Sequence, residues 1–244
     1  MEMNEQNNRE AAFRQQPFPH SGILLVDKPA EWTSHDVINF IRRRFNVRKA
    51  GHCGTLDPAA TGLLVILLGH ATKISGTLSG QDKAYEGTIL FGIETDSQDM
   101  DGTVISEKEC KDLAEDAIRE EFAKFAGTIM QIPPMVSAVK KDGKRLYEIA
   151  RQGKIIEREP KEITVHEIKV NKVHLPYADF SLKCSKGTYV RTICSDIGRN
   201  LGCGAVLHSL RRTQSGNFSV EKSATVEQMK TWTQDDLYQH IEGF

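Results

Sequence analysis

Residues 51–69 read GHCGTLDPAATGLLVILLG. The second half is an unbroken apolar run from Leu63 to Leu68, bracketed by Gly62 and Gly69. Six residues without a polar interruption, bounded by glycines, are the pattern of a strand buried on both faces. The first half is a loop whose glycines permit close approach of another backbone, with a lone carboxylate, Asp57, at its tip before Pro58. Working outward, ILLV at 23–26 predicts a second buried strand, ending in Asp27, Lys28 and Pro29. Ser34 is placed to cap a helix with Asp36 in its first turn and Val37, Ile41 and Phe45 on one face. Residues 85–91, 163–173 and 180–184 alternate as strands, and 113–126, 146–152 and 192–201 have helical spacing, with one or two acidic helices over 225–240. The fold class these imply is α+β, one domain over 22–244 around a large sheet, after a flexible tail over 1–21 rich in Gln and Asn.

Composition narrows the function. The chain has 244 residues, 39% hydrophobic and 27% charged, which suits a folded domain and not disorder throughout. No apolar run approaches the roughly 20 residues a membrane helix needs, and the N-terminus has no secretion signal, so a cytoplasmic protein is expected. Five scattered cysteines with no C-x-x-C pair predict neither disulfides nor structural zinc. A net charge of −1 argues against indiscriminate coating of nucleic acid.

The charges are nevertheless segregated. Residues 41–49, IRRRFNVRK, carry five basic residues and no acid; 139–154 carry six basic and two acidic, and 183–212 six basic and one acidic. Residues 94–121 carry eleven acidic and three basic. Each basic run alone is an ordinary solvated face, but together, beside glycine-rich and aromatic segments, they read as a nucleic-acid footprint with an acidic outer surface. Part of the acidic stretch is expected to be a mobile arm.

No phosphate-binding P-loop, dinucleotide fingerprint, H-E-x-x-H or G-x-S-x-G motif is present. Asp57 is then the residue of interest. It either caps local amides in an Asp-Pro turn or serves as a nucleophile, which would need a cationic partner to stay ionised. Arg191 is a candidate partner, because alternation from Phe180 puts it on the same side of an extended segment as Tyr189; the alternative is a surface arginine. Tyr85 offers a phenol and a stacking face, or a place in a strand core. His52 can be a ligand, a stacking ring or a packed residue, and no second ligand sits at metal spacing.

The motifs at 51–64 (GHCGTLDPAATGLL), 83–87 (KAYEG) and 186–192 (KGTYVRT) resemble the TruB family of tRNA pseudouridine synthases. Further matches are GILLVDKP at 22–29, TSHDV at 33–37, PPMVSAVKKDGKRLYEIARQG at 133–153 and LRRTQSGNFS at 210–219. The resemblance implies a mixed, mostly antiparallel sheet in two halves flanked by helices, with a central catalytic cleft. It implies an isomerase that flips the T-loop uridine, position fifty-five of tRNA, and converts it to pseudouridine without cofactor or metal. By the same resemblance Asp57 is the catalytic aspartate, Tyr85 lies against the target base and helps move a proton, and Arg191 pairs with Asp57. His52 stacks where the extruded base had been. Tyr189 and Leu210 form the site's other wall, and Lys83 and Arg151, in the same motifs, bind substrate.

Two positions depart from the family pattern. Glu31 stands where DKPxGxTS usually has glycine, and Val136 where an aromatic residue is common. The chain ends about twenty-five residues after its last motif, so no separate C-terminal PUA-type module is expected and dependence on the acceptor stem should be weak. A monomer acting on tRNA without an obligatory protein partner is expected. The alternatives are the catalytic subunit of a guide-RNA pseudouridylation complex and a catalytically silent tRNA-folding factor.

Overall fold

A computed structural model describes residues 17–244 except 138, 142, 147, 148, 150–152 and 155. The chain divides into two compact units, one built from the residues up to Gly80 together with Asn217–Phe244, the other from Gln81–Gly216. The architecture is α+β, with largely antiparallel strands and flanking helices in each unit.

In the first unit, strands β1 (Gly22–Lys28) and β3 (Thr61–Leu68) pair antiparallel along their whole length, and β2 (Ala50–Cys53) pairs antiparallel with β3. Two short C-terminal strands pair with β1: Ala224–Thr225 runs parallel to it and Ile241–Glu242 antiparallel. The six-residue apolar run does what its composition requires. Leu64, Ile66 and Leu68 join the core beneath helix α1 (Ser34–Phe45), while Leu63, Val65 and Leu67 enter a second core on the opposite face with Ala71 and Leu78. Each such side chain contributes roughly 1.5–3 kcal/mol by leaving water. The one-turn helix α2 (Ser75–Ser79) supplies Leu78 to that second core.

Part of the expected tail is packed into the fold. Phe18 is buried in the α1 core, and its N–H donates to Asn46 O at 3.2 Å. The cap of α1 also differs from expectation. Thr33, not Ser34, is the N-cap, in a reciprocal capping box with Asp36, and the hydrogen bonds from Thr33 hold the Asp36 carboxyl below its usual range. Ser34, one residue too far along to cap, is buried and used elsewhere.

Glu31, the first departure, has φ 67°, the left-handed region that favours glycine. The side chain makes that backbone state unfavourable by roughly 1–2 kcal/mol, partly offset in a glycine variant by the looser unfolded chain. Glu31→Gly is therefore expected to raise stability by about 0.5–1 kcal/mol. A lowered urea midpoint would mean that the carboxylate contributes more than its backbone costs.

In the second unit the strand order is β12 (Ala205–Ser215), β4 (Lys83–Phe91), β11 (Tyr177–Cys184), β10 (Lys161–His174), β7 (Gly127–Gln131), each pair antiparallel. A hairpin of β5 (Ile93–Thr95) and β6 (Val104–Glu107) leaves the end of β4, and β8 (Lys140–Lys141) pairs with β9 (Lys144–Arg145). Helix α3 (Glu115–Ala123) puts Ile118 and Phe122 into the core, with Phe122 5.6 Å from the Phe180 ring. Helix α4 (Val190–Asn200) adds Ile193, Cys194 and Ile197. Gly87 is needed where it stands, since a Cβ there would come within 2.6 Å of the Phe180 ring.

The helix expected over 146–152 falls mostly outside the described residues. The cysteines carry no disulfide, and burial pushes the Cys184 thiol up to about 11 and that of Cys194 higher still. No helix among the described residues is long and apolar enough to cross a membrane.

Candidate active site

The first unit presents Asp57 on a loop held from beneath. Asp57 is exposed, but its neighbours are not free to move. Leu56, 3% exposed, donates its N–H to Ser34 Oγ at 2.9 Å and accepts from the same hydroxyl through its carbonyl at 3.1 Å. On the other side, Pro58 O accepts from Lys28 Nζ at 3.0 Å and from the Glu31 N–H at 2.9 Å. Lys28 is fully buried and also donates to Pro29 O (2.8 Å) and Trp32 O (2.6 Å). The turn closes with Ala60 N–H on Asp57 O at 3.1 Å. The backbone that carries the carboxylate is thus fixed before any ligand arrives, which preorganised chemistry requires. His52 lies on β2, opposite Ile66 of β3 and half-buried.

Lys28 holds the loop that carries Asp57, a place its sequence context does not announce, because a lysine after a strand reads as solvated. Its ammonium is the shared donor for three carbonyls, and leaving buried acceptors without one costs about 1–3 kcal/mol each. Lys28→Met should lower stability by about 2–4 kcal/mol, read from urea unfolding, with turnover falling as the loop loosens. An unchanged midpoint would show that the three bonds contribute nothing net.

The second unit places Tyr85, Tyr189, Arg191 and Leu210 within one framework. Tyr85 on β4 is opposite Leu182 of β11 and Arg212 of β12, while Leu210 is opposite Gly87, two residues along the same face from Tyr85. Tyr85 and Leu210 both pack, half-buried, against the core. Tyr189 is the N-cap of α4 and is fixed by the buried Gln131 side chain, which donates to Tyr189 O at 3.0 Å and accepts from Tyr189 N at 2.8 Å.

Arg191 is 4% exposed and so is no surface arginine. It also does not lie on an extended segment: Val190 begins α4, and the alternation from Phe180 stops short of it. The helical turn nevertheless brings its guanidinium 5.9 Å from the Tyr189 ring centroid. Arg191 Nη1 pairs with Asp99 Oδ2 at 3.2 Å, both side chains largely buried, and Nη2 donates to Val136 O at 2.7 Å. Val136, the second departure, therefore contributes its carbonyl here, and its side chain is 40% exposed.

Asp99 was hidden in the acidic stretch and expected on an outer surface. Instead the segment between β5 and β6 turns it inward: Ser97 Oγ donates to its carboxylate, Gln98 has φ 69° and its carbonyl accepts from the Leu207 N–H at 3.1 Å, and Thr192 Oγ1 donates to Gln98 Oε1 at 2.7 Å. Arg212, 1% exposed and opposite Tyr85, is a second buried cation that the sequence reading passed over. Lys83 is buried at the start of β4, with its ammonium donating to Gln81 O at 2.5 Å. Arg151 lies outside the described residues. Among the described residues no cluster of His, Cys, Asp and Glu could hold a metal ion.

Residues 42–190 match the model of the TruB family pseudouridylate synthase N-terminal domain, and residues 191–242 match that of the tRNA pseudouridylate synthase B C-terminal domain. The tRNA pseudouridine synthase B of Opitutus terrae is 50% identical over 206 residues, which cover 84% of this chain and 86% of that protein. That of Bordetella avium is 45% identical over 217 residues, covering 88% and 89%. Among solved structures, a Cbf5-Nop10-Gar1 complex is similar with a TM-score of 0.67 and 31% identity, over 84% of this chain and 52% of the solved one. The chain thus spans about half the length of that solved relative. Matched by family models from residue 42 to residue 242 and by relatives along most of their length, this chain belongs to the TruB family of pseudouridylate synthases.

Proposed function

We propose that the chain is a tRNA pseudouridine synthase that isomerises the T-loop uridine, with Asp57 as nucleophile. The observation that carries the reading is an exposed carboxylate whose flanking residues are locked by buried Ser34 and Lys28. Family membership and the names of its relatives support it.

The reaction breaks the bond between N1 of uracil and C1′ of ribose, turns the base and forms a bond from C5 to C1′. N1 gains a proton and the C5 hydrogen leaves as one, so nothing is oxidised or hydrolysed and no cofactor is required by the balance. Asp57 attacks either C6 of the base or C1′ of the sugar. Arg191 keeps that carboxylate ionised and oriented; a guanidinium has five donors, enough to hold Asp99 and a second acceptor. Tyr85 lies against the everted base and assists the proton transfer, with Tyr189 and Leu210 as the neighbouring wall. Eversion costs a few kcal/mol, which stacking by His52 and phosphate contacts to the basic runs offset. In this reading the chain works in the cytoplasm as a monomer, without guide RNA or partner.

The experiment is incubation of the pure chain with one unmodified tRNA transcript, followed by mapping of pseudouridine. Product confined to the T loop is expected. Likeness to one chain of a Cbf5-Nop10-Gar1 complex is the observation behind a partner-dependent alternative, and product appearing only when guide RNA and partner proteins are added would select it. Refolding of tRNA without product would select the silent folding factor.

A further inference from the structure

An open groove of about 740 Å³ lies along α1, within the first unit. Its walls are the half-buried rings of Trp32 and Phe40, 6.1 Å apart and inclined at 75°, with Asn39 between them in sequence and Arg43 on the exposed last turn. Glu31 forms its rim, and the Glu31 N–H is bonded to Pro58 O, so groove and catalytic loop share a hydrogen bond. We infer that this groove takes an unstacked nucleotide of the RNA substrate, its base on Trp32 and its phosphate on Arg43. The inference rests on the proposed tRNA activity.

Three observations point to a nucleotide. First, an indole left half-exposed beside a second ring is a stacking platform, and base–aromatic stacking is the commonest sequence-tolerant way to hold a single strand. Second, the cations exceed what helix α1 needs. One basic residue in its last turn would complement the dipole, yet the turn holds Arg42, Arg43 and Arg44, followed by Arg48 and Lys49 with no acid between. Arg44 is already tied to Lys230 O and lies over the Phe45 ring, which leaves Arg43 as the groove's phosphate contact. Third, Glu31 holds a left-handed backbone that glycine would adopt without strain, and strain of this kind persists at functional positions. A carboxylate at the rim accepts from the exocyclic amine of cytosine, adenine or guanine, and uracil has none. The other acid in the groove, Asp36, is engaged with Thr33 through its capping box.

The test uses the two tryptophans, Trp32 and Trp232. In the full chain carrying Trp232→Phe, emission comes from Trp32 alone, and titration with an unmodified tRNA transcript should quench it in step with binding. Trp32→Ala should weaken tRNA binding about tenfold, the worth of one base–aromatic stack, with the loss appearing in KM, and Trp32→Phe should recover most of it. Arg43→Gln should reduce the slope of log K against log salt by about 1. Emission unmoved by tRNA, with affinity and salt slope unchanged in both variants, would overturn the inference. Quenching by a lysine-rich peptide but not by tRNA would also overturn it, in favour of a protein partner. Because binding is read without turnover, a Trp32 response in a chain that makes no pseudouridine would defeat the proposed activity and leave the groove standing. Product without a Trp32 response would defeat the groove alone.

Discussion

Asp57→Asn is expected to bind tRNA as the wild-type chain does and to form no detectable pseudouridine. Asn has the same size and keeps the loop's geometry, because the clamps grip the backbone of Leu56 and Pro58 and not the carboxylate. The amide oxygen is neutral and a poor nucleophile, so a covalent or electrostatic role for the carboxylate disappears. A loss of at least about 10⁴-fold in turnover, roughly 5.5 kcal/mol in the barrier, is the expected scale. Stability should stay within about 0.5 kcal/mol, as for other exposed positions. A pseudouridine assay and a filter-binding titration on one preparation measure both quantities. Appreciable product from the variant would remove Asp57 from the chemistry.

Arg191→Ala should also be severe, in two separable ways. Removing the guanidinium leaves the Asp99 carboxylate, 13% exposed, without its ion pair and Val136 O without its donor. Breaking a buried pair from one side costs about 3–5 kcal/mol. If the same group keeps Asp57 ionised, turnover should fall roughly 10²–10³-fold beyond what unfolding explains, with tRNA affinity largely retained. Arg191→Lys separates the two effects: it keeps a cation for Asp99 and should recover much of the stability, but it lacks the planar fork that serves two acceptors and should recover little activity. Equal losses of binding and turnover would reassign Arg191 to RNA binding.

Much of the framework was legible in the chain because some segments have one physical solution. The six apolar residues from Leu63 to Leu68 admit no solvated face, and the structure buries alternate residues in two different cores. The middle of the expected Gly51–Gly62 loop was legible for the opposite reason, as a polar, glycine-rich segment with one carboxylate, while its two ends belong to β2 and β3. What stayed hidden depends on long-range partners. Lys28 looks like a solvated strand end until Pro58, thirty residues away, supplies one of its acceptors. Asp99 looks like one acid among eleven until the turn at Gln98 aims it at Arg191. Thr33 and Ser34 are both cap formers, but Asp36, three residues after Thr33, completes the capping box that selects Thr33, and Ser34 bonds Leu56 instead. The alternation from Phe180 ends with β11 at Cys184, and Arg191 meets Tyr189 through the first turn of a helix.

The most direct measurement follows the hydrogen at C5. A bond from C5 to C1′ can form only if that hydrogen leaves, so tRNA labelled with tritium at uracil C5 reports the isomerisation itself. With excess pure chain and no added guide, metal or nucleotide, the account predicts release of one equivalent per T-loop uridine, and none from Asp57→Asn. Release that persists in that variant, or no release from the wild-type chain on a correctly folded transcript, would contradict it.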